Sequence, residues 1–383
     1  MSSLSIRFID SLASITPPLW NSLAPNQPFL SHAFLHGLHT TGCAATQTGW
    51  TPRYATAWRG DTLVGAMPLY LKAHSYGEYV FDWSWADAYR RYGRSYYPKL
   101  LAAVPFTPVT GPRLLSSDAS VRRSLLAAAL ALMESRSASS LHILFPEEAQ
   151  LDECRAAGMM MRDSVQFHWT NAGYRDFADF LAGMSHDKRK RIKQERRKLA
   201  EADVTLRRET GASIRADDLR YFFRCYTRTY REHYSTPYLT FEFFEHLAES
   251  MPENILLVIA ERHGKRIAAA LDVYGGDTLW GRYWGATEPV SGLHFEACYY
   301  QAIEFCIERG LRLFEGGAQG THKLARGLLP VATHSAHVIA DPQFAAAIAD
   351  FVSHERVEIG STIDELERAS PFREETRTGS RDE

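Results

Sequence analysis

The sequence predicts an α/β protein with mixed sheets, built as two tandem domains of similar design. Three observations carry the prediction. Two hairpins of one pattern lie in the two halves of the chain. Each is followed by the same succession of elements. At 383 residues the chain also exceeds what a single hydrophobic core ordinarily supports. The hairpins are residues 53–72, RYATAWRGDTLVGAMPLYLK, and residues 256–274, LLVIAERHGKRIAAALDVY. Each has an apolar strand, a charged turn with a glycine, and a second apolar strand. With a one-residue gap they match at Ala57 and Ala260, Arg59 and Arg262, Gly60 and Gly264, Ala66 and Ala270, and Tyr70 and Tyr274.

Downstream of each hairpin an aromatic strand is expected, YVFDWSWAD over 79–87 and LWGRYWGAT over 279–287. A helix with a tyrosine pair follows, Tyr96-Tyr97 and Tyr299-Tyr300, and then a short strand ending in glycine, over 104–111 and 311–317. Self-similarity of this kind points to duplication. The second helix is the clearest element. Phe295, Tyr299, Ala302 and Cys306 form one stripe, and Gln301, Glu304 and Glu308 the opposite one, with Gly310 ending the helix. Strand–strand–strand–helix–strand is the core order of the GNAT acyltransferase fold, in which two parallel strands splay apart beside the helix and the acyl donor lies in the gap. The expected domains are 1–165 and 166–383.

Between the halves, residues 185–202 read SHDKRKRIKQERRKLAEA. From His186 to Lys198 there are eight Lys/Arg against two acids. Without proline or glycine the segment is predicted helical. Its apolar residues Ile192 and Leu199 make only a thin seam. The helix is either a solvated linker or a contact for phosphate or nucleic acid through Arg189, Lys190 and Arg191. The polar tail, 365–383, is expected to fray.

Bulk properties exclude several classes. A net charge of −2 leaves any polyanion contact to a local patch, and no DNA partner is expected. Five scattered cysteines without a C-x-x-C pair form no disulfide frame or zinc site, as in a reducing compartment. The N-terminus lacks a signal-peptide pattern, and no stretch approaches the ~18 apolar residues of a membrane helix. The expectation is a cytoplasmic protein without integral membrane association; the oligomeric state stays open. His32, His36 and His39, and His334 with His337, lack the accompanying ligands of a metal site. No P-loop, G-x-S-x-G or dinucleotide fingerprint occurs, so neither a metal nor a tightly bound cofactor is expected.

The runs YGEYVFDWSWADAYRRYGRSYYPKLL (76–101), VPFTPVTGPRLL (104–115) and FEGGAQGTHKLARGLLPVATHSAHVI (314–339) resemble the FemAB-like family of peptidoglycan-related proteins. The resemblance spans roughly residues 20–355 and implies two tandem GNAT-like domains. The better understood Fem transferases move an amino acid from aminoacyl-tRNA onto the peptide of a nucleotide-linked muropeptide. In them a Phe-Lys or similar pair after the last core strand of the second domain supplies a lysine that stabilises the reacting carbonyl. Its nearest match here is His322-Lys323. The resemblance also puts the basic helix where Fem proteins hold substrate phosphates or carry a tRNA-facing coiled coil.

Acyl transfer to an amine needs oxyanion stabilisation, a proton acceptor and alignment of the partners. Lys323 and Arg326 supply positive charge. Glu315, His322 and Tyr283 are candidate proton acceptors or orienters, and Arg282, Gln319 and Arg326 candidate substrate contacts. Gly316, Gly317 and Gly320 would let the backbone approach a substrate closely. In the first half, Asp82, Trp83, Trp85, Asp87, Tyr96 and Tyr97 either line an amine-accepting cleft or pack a core. Neither half has the Q/R-x-x-G-x-G/A loop that cradles acyl-CoA pyrophosphate; the second half has ATEPVSGLHFE there. Three functions therefore stand: an N-acyl or aminoacyl transferase acting on a muropeptide-like amine, a CoA-dependent N-acyltransferase acting on a small molecule, and a non-catalytic tRNA- or nucleotide-binding module. The donor is aminoacyl-tRNA or acyl-CoA.

Overall fold

The computed structural model describes residues 3–317 and 320–373. The chain divides into two compact units, Met1–Ser164 with Ala332–Gly360, and Val165–Val331 with Ser361–Glu383. The first boundary falls one residue from the expected one. The second expected domain does not run unbroken, because 332–360 return to the first unit.

The chain opens with β1 (Leu4–Ile9), α1 (Pro17–Asn21), α2 (His32–Thr40), β2 (Trp50–Pro52), β3 (Tyr54–Arg59), β4 (Thr62–Met67) and β5 (Tyr70–Lys72). α3 (Trp83–Arg91), β6 (Lys99–Ala102), α4 (Ala119–Ser135), β7 (Ser140–Leu144), α5 (Leu151–Ala156) and β8 (Met160–Thr170) follow. β1, β3 and β4 form an antiparallel sheet; β2, β5, β6 and β7 neighbour one another in a second sheet. Within it β5 pairs antiparallel with β6, and β6 parallel with β7. α4 buries Val121, Leu125, Leu126, Ala129, Leu132 and Met133 on one stripe, the helical period that packs it on the sheets.

The second unit adds α6 (Phe177–Gly183), α7 (His186–Glu201), β9 (Val204–Thr210), α8 (Ala216–Glu232), α9 (Phe241–Ser250), β10 (Ile255–Arg262), β11 (Lys265–Gly275) and β12 (Thr278–Ala286). α10 (Leu293–Phe295), a π turn (Glu296–Tyr300) and α11 (Gln301–Arg309) run on as one helix, followed by β13 (Leu313–Glu315). The strands neighbour one another in the order β8, β13, β12, β11, β10, β9. The near-continuous apolar runs of β10 and β11 are buried on both faces. α8 lies so close to β12 that a Cβ at Gly285 would come 2.1 Å from the Cys225 carbonyl oxygen, so only glycine fits. Gly310, left-handed at φ 66°, caps α11 as expected.

β14 (Leu329–Ile339) and α12 (Pro342–Arg368) complete the chain. Ser335–Ile339 pair with Ser140–Leu144, and Ile348 and Val352 pack with Trp85, Tyr89 and Tyr96. These contacts return the segment to the first unit. Residues 365–368, expected to fray, continue α12; 374–383 lie outside the described residues.

Both units repeat one order: strand, two helices, hairpin, strand, helix, and a strand parallel to the one before the helix. The hairpins hold matching places in it. Their one-residue gap does not exist, because both loops have two residues, with Arg59 facing Thr62 and Arg262 facing Lys265. Gly60 thus corresponds to His263. In the first unit the downstream succession differs from expectation. Residues 79–87 are no strand; from Trp83 they wind into α3, where Trp85 and Tyr89, four apart, share the buried face. Tyr96-Tyr97 precede β6 and lie on no helix, and the strand after the helix is β7, not 104–111.

Candidate active site

β12 and β13 pair parallel only over Thr278–Trp280 with Leu313–Glu315. Beyond Glu315 the chain stays with β8: Gly316 N–H donates to Phe167 O at 2.9 Å, and Phe167 N–H to Gly317 O at 3.3 Å. β12 stays with β11, through a bulge where Leu271 faces Tyr283 but Asp272 faces Gly281. The extra residue, Arg282, has no ladder partner on β11. The strands therefore part, with Gly281, Arg282 and Tyr283 on one side and Glu315, Gly316 and Gly317 on the other.

Lys323 lies on a 3-10 turn, Thr321–Arg326, beside this opening. It is 6% exposed, and its ammonium donates to Gly317 O at 3.2 Å. Among the described residues it meets no carboxylate. Burial pulls its pKa down to about 8, opposed by Cys298. The nearby imidazoles are held neutral. His168 and His294 are each lowered to about 4, first by burial and then by neighbouring groups, Lys323 in both cases. His322 is lowered too, and its Nε2 lies 3.0 Å from Tyr299 OH. Glu315 is buried at the end of β13. Tyr283 is half-buried, its ring edge-on to Tyr226 and Phe244, with the Arg282 guanidinium 5.2 Å from its centroid.

Arg326 does not stand ready for substrate. It is 3% exposed, donates to His322 O at 2.8 Å and to Glu195 Oε1 at 3.0 Å, and lies 3.3 Å over the Phe295 ring. Gln319 lies outside the described residues. Sequence reasoning missed Asp272. This carboxyl is buried between apolar neighbours on β11, and burial pushes it up to about 8 against the pull of the Arg282 backbone N–H and guanidinium. Its Oδ2 has no hydrogen-bond partner among the described residues. The signal was present: one acid in the apolar run IAAALDVY.

α7 buries only Ile192 and Leu199, each contributing about 1.5–3 kcal/mol to docking the helix. His186, Arg189, Lys190, Lys193, Gln194 and Arg197 line an open groove of about 450 Å³. Arg191 is exposed and pairs with Glu195 at 3.2 Å.

The first unit's candidates lie around β5, β6 and β7. Lys72 and Lys99 face each other across β5 and β6, both fully buried. The Lys99 ammonium donates to Ser75 Oγ at 2.8 Å, to Glu78 Oε2 at 2.7 Å and to Asp82 Oδ2. Tyr96 OH donates to Asp82 Oδ2 at 2.7 Å and lies 3.1 Å from His142 Nε2. His142 Nδ1 lies 2.6 Å from His337 Nδ1, and Trp85 is edge-on to His337. Tyr97 OH shares Ser75 Oγ at 2.9 Å. Asp82, Trp85, Tyr96 and Tyr97 thus meet, but the amine that Asp82 holds is the chain's own Lys99. Trp83 and Asp87 face outward on α3, Asp87 paired with Arg90. His32 is buried on α2, with Nε2 3.1 Å from Leu12 O.

The first unit also closes the gap that the second leaves. After the two parallel strands pair at Ala102 and Ile143, the segments that follow them meet again where Gly111 bridges Pro146. Fully buried Arg113 donates there to Leu144 O at 2.7 Å, Pro112 O at 3.0 Å and Val109 O at 2.5 Å.

Residues 11–374 match the model of the FemAB-like family, described as peptidoglycan biosynthesis and recognition. None of the curated proteins compared matches the chain. Among solved structures, FemX aligns over 88% of this chain and 98% of its own, with a TM-score of 0.55 at 11% identity. L-PGS from Bacillus licheniformis aligns over 81% and 90%, at 0.52 and 8% identity. A conserved protein of unknown function from Bacteroides thetaiotaomicron VPI-5482 aligns over 88% and 100%, at 0.51 and 11%. At such identities the likeness is one of fold: mixed α/β, with two GNAT-like domains. No helix among the described residues is long and apolar enough to cross a membrane.

Proposed function

The chain belongs to the FemAB-like family, and from that premise we propose that it is an N-acyl or aminoacyl transferase whose chemistry runs in the second unit. One observation carries the reading: a buried lysine, free of any described carboxylate, stands beside the opening between β12 and β13. An ammonium in a dry site is costly unless it meets developing negative charge. An amine nitrogen attacks the donor carbonyl carbon, and the oxygen takes up charge within reach of Lys323. The tetrahedral intermediate collapses with loss of the donor's thiol or hydroxyl, which leaves with the proton the amine gives up. Glu315 or neutral His322 carries that proton, and Tyr283 and Arg282 orient the acceptor. The first unit's gap is filled by Arg113, which argues against a second donor site there.

The acceptor in this reading is the amine of a muropeptide-like precursor, and the donor is aminoacyl-tRNA, whose phosphates suit the groove along α7. Such a donor carries with it a cytoplasmic location. The test incubates the protein with charged tRNA or acyl-CoA and a nucleotide-linked muropeptide, and follows the acceptor's mass. The proposal expects one aminoacyl or acyl increment, formed roughly 10²–10³-fold more slowly in Lys323→Met. A small-molecule acceptor modified only from acyl-CoA would favour the CoA-dependent alternative. Binding of tRNA without any increment, the same in wild type and Lys323→Met, would leave a binding module.

A further inference from the structure

The turn that carries Lys323 is held from outside itself. Arg326 closes it through His322 O and reaches Glu195 Oε1 on α7 at 3.0 Å. The other Glu195 oxygen accepts from Tyr300 OH, in the π turn, at 2.5 Å. Tyr299, next to it, contacts His322. One carboxylate therefore pins the basic helix, the π turn and the Lys323 turn together. π turns inside helices recur at functional sites. The same Oε1 is reached by exposed Arg191 at 3.2 Å, on the cationic helix. Without Glu195, the Arg326 guanidinium would be a buried cation with only a carbonyl and a ring for company. The turn would have to shift to solvate it.

We propose that Glu195 is a positioning residue for the transfer: it fixes Arg326, and through it the turn that keeps the Lys323 ammonium over Gly317, and it ties that turn to the cationic helix through Arg191. This rests on the reading of Lys323 as the oxyanion donor. The groups facing Lys323 are His168 from β8, His294 from α10, Cys298 from the π turn, and His322 and Arg326 from its own turn.

The test is an NMR titration of the protein labelled with ¹³Cε-lysine, the Lys323 resonance being assigned by its loss in Lys323→Arg. In wild type Lys323 should titrate near 8. In Glu195→Gln it should move up by a unit or more, towards the ordinary lysine value of about 10.4. Tyr300→Phe, which keeps the carboxylate, should move it less. Glu195→Asp should restore part of the wild-type value. A lowered melting temperature with the Lys323 titration unchanged would make Glu195 merely structural and overturn the proposal. Should Glu195→Gln not fold, an unchanged titration in Tyr300→Phe and Arg326→Lys overturns it equally. Full transfer activity in Lys323→Met would sink the functional reading instead, a result independent of where Lys323 titrates.

Discussion

The two units share an order of elements but surround a buried lysine in opposite ways, Lys99 in the first and Lys323 in the second. In the first, Lys99 is surrounded by Ser75, Glu78 and Asp82, and the gap between its parallel strands is filled by Arg113. In the second, Lys323 and Asp272 are buried without an opposite charge in contact, and the strands part. Removing one member of a buried ion pair strands the other, whereas a buried ion without a partner carries a desolvation cost that a ligand, a transition state or a change of protonation relieves. On the proposed function, the same fold would serve as a framework in one copy and as a site in the other.

The largest effect that could break this contrast is on stability. Lys99→Met leaves buried Asp82 and Glu78 with only Lys72, 3.8 Å from Glu78, as a cation beside them, and should destabilise by ~3–5 kcal/mol in denaturant titration. A loss below ~1 kcal/mol would mean that the first unit's charges are not a structural pair.

Asp272 should behave in the reverse sense. Its folded pKa of about 8 lies above the unfolded value of about 3.9, so the unfolded chain gives up its proton first. Stability should therefore fall as pH rises from about 4 to about 8. Asp272→Asn should remove that slope and be more stable than wild type at pH 8 by on the order of a few kcal/mol, with little difference near pH 4. Parallel profiles for the two proteins would contradict the unpaired acid.

Lys323 sharpens the contrast further. Its folded value of about 8 lies below the unfolded ~10.4, so the cost of its charge is fully present below pH 8 and is relieved as pH rises towards 10.4. At pH 7, Lys323→Met should gain about 1–3 kcal/mol where Lys99→Met loses. The smallest effect belongs to α7. Charge reversal at Arg189, Arg191 and Arg197 should weaken tRNA binding roughly tenfold or more and flatten its salt dependence. An unchanged salt slope would make α7 a solvated linker.

The second unit was the more legible in sequence. β10 and β11 are long apolar runs, α7 announced itself by charge and two seam residues, and the stripe of Phe295, Tyr299, Ala302 and Cys306 marked its helix. The π turn within that helix left no such mark. In the first unit, WSWAD reads as strand alternation, and only packing of Trp85 and Tyr89 against Ile348 and Val352, far along the chain, makes it helical. Lys72, Lys99 and Glu78 look like solvent-facing charges in sequence. Their partners arrive from other strands and a loop, so no spacing rule could find them. Lys323 and His322 were visible through resemblance, but their burial was not, and neither was the diversion of Arg326 to Glu195.

The central claim is that Lys323 stabilises an oxyanion in the second unit. The most direct measurement is the rate of single-turnover transfer to the muropeptide amine by wild type and Lys323→Met, each saturated with donor and acceptor. Lys323→Met should lose roughly 10²–10³-fold in rate with donor and acceptor affinities little changed. An undiminished rate in a protein that folds and binds normally would contradict it.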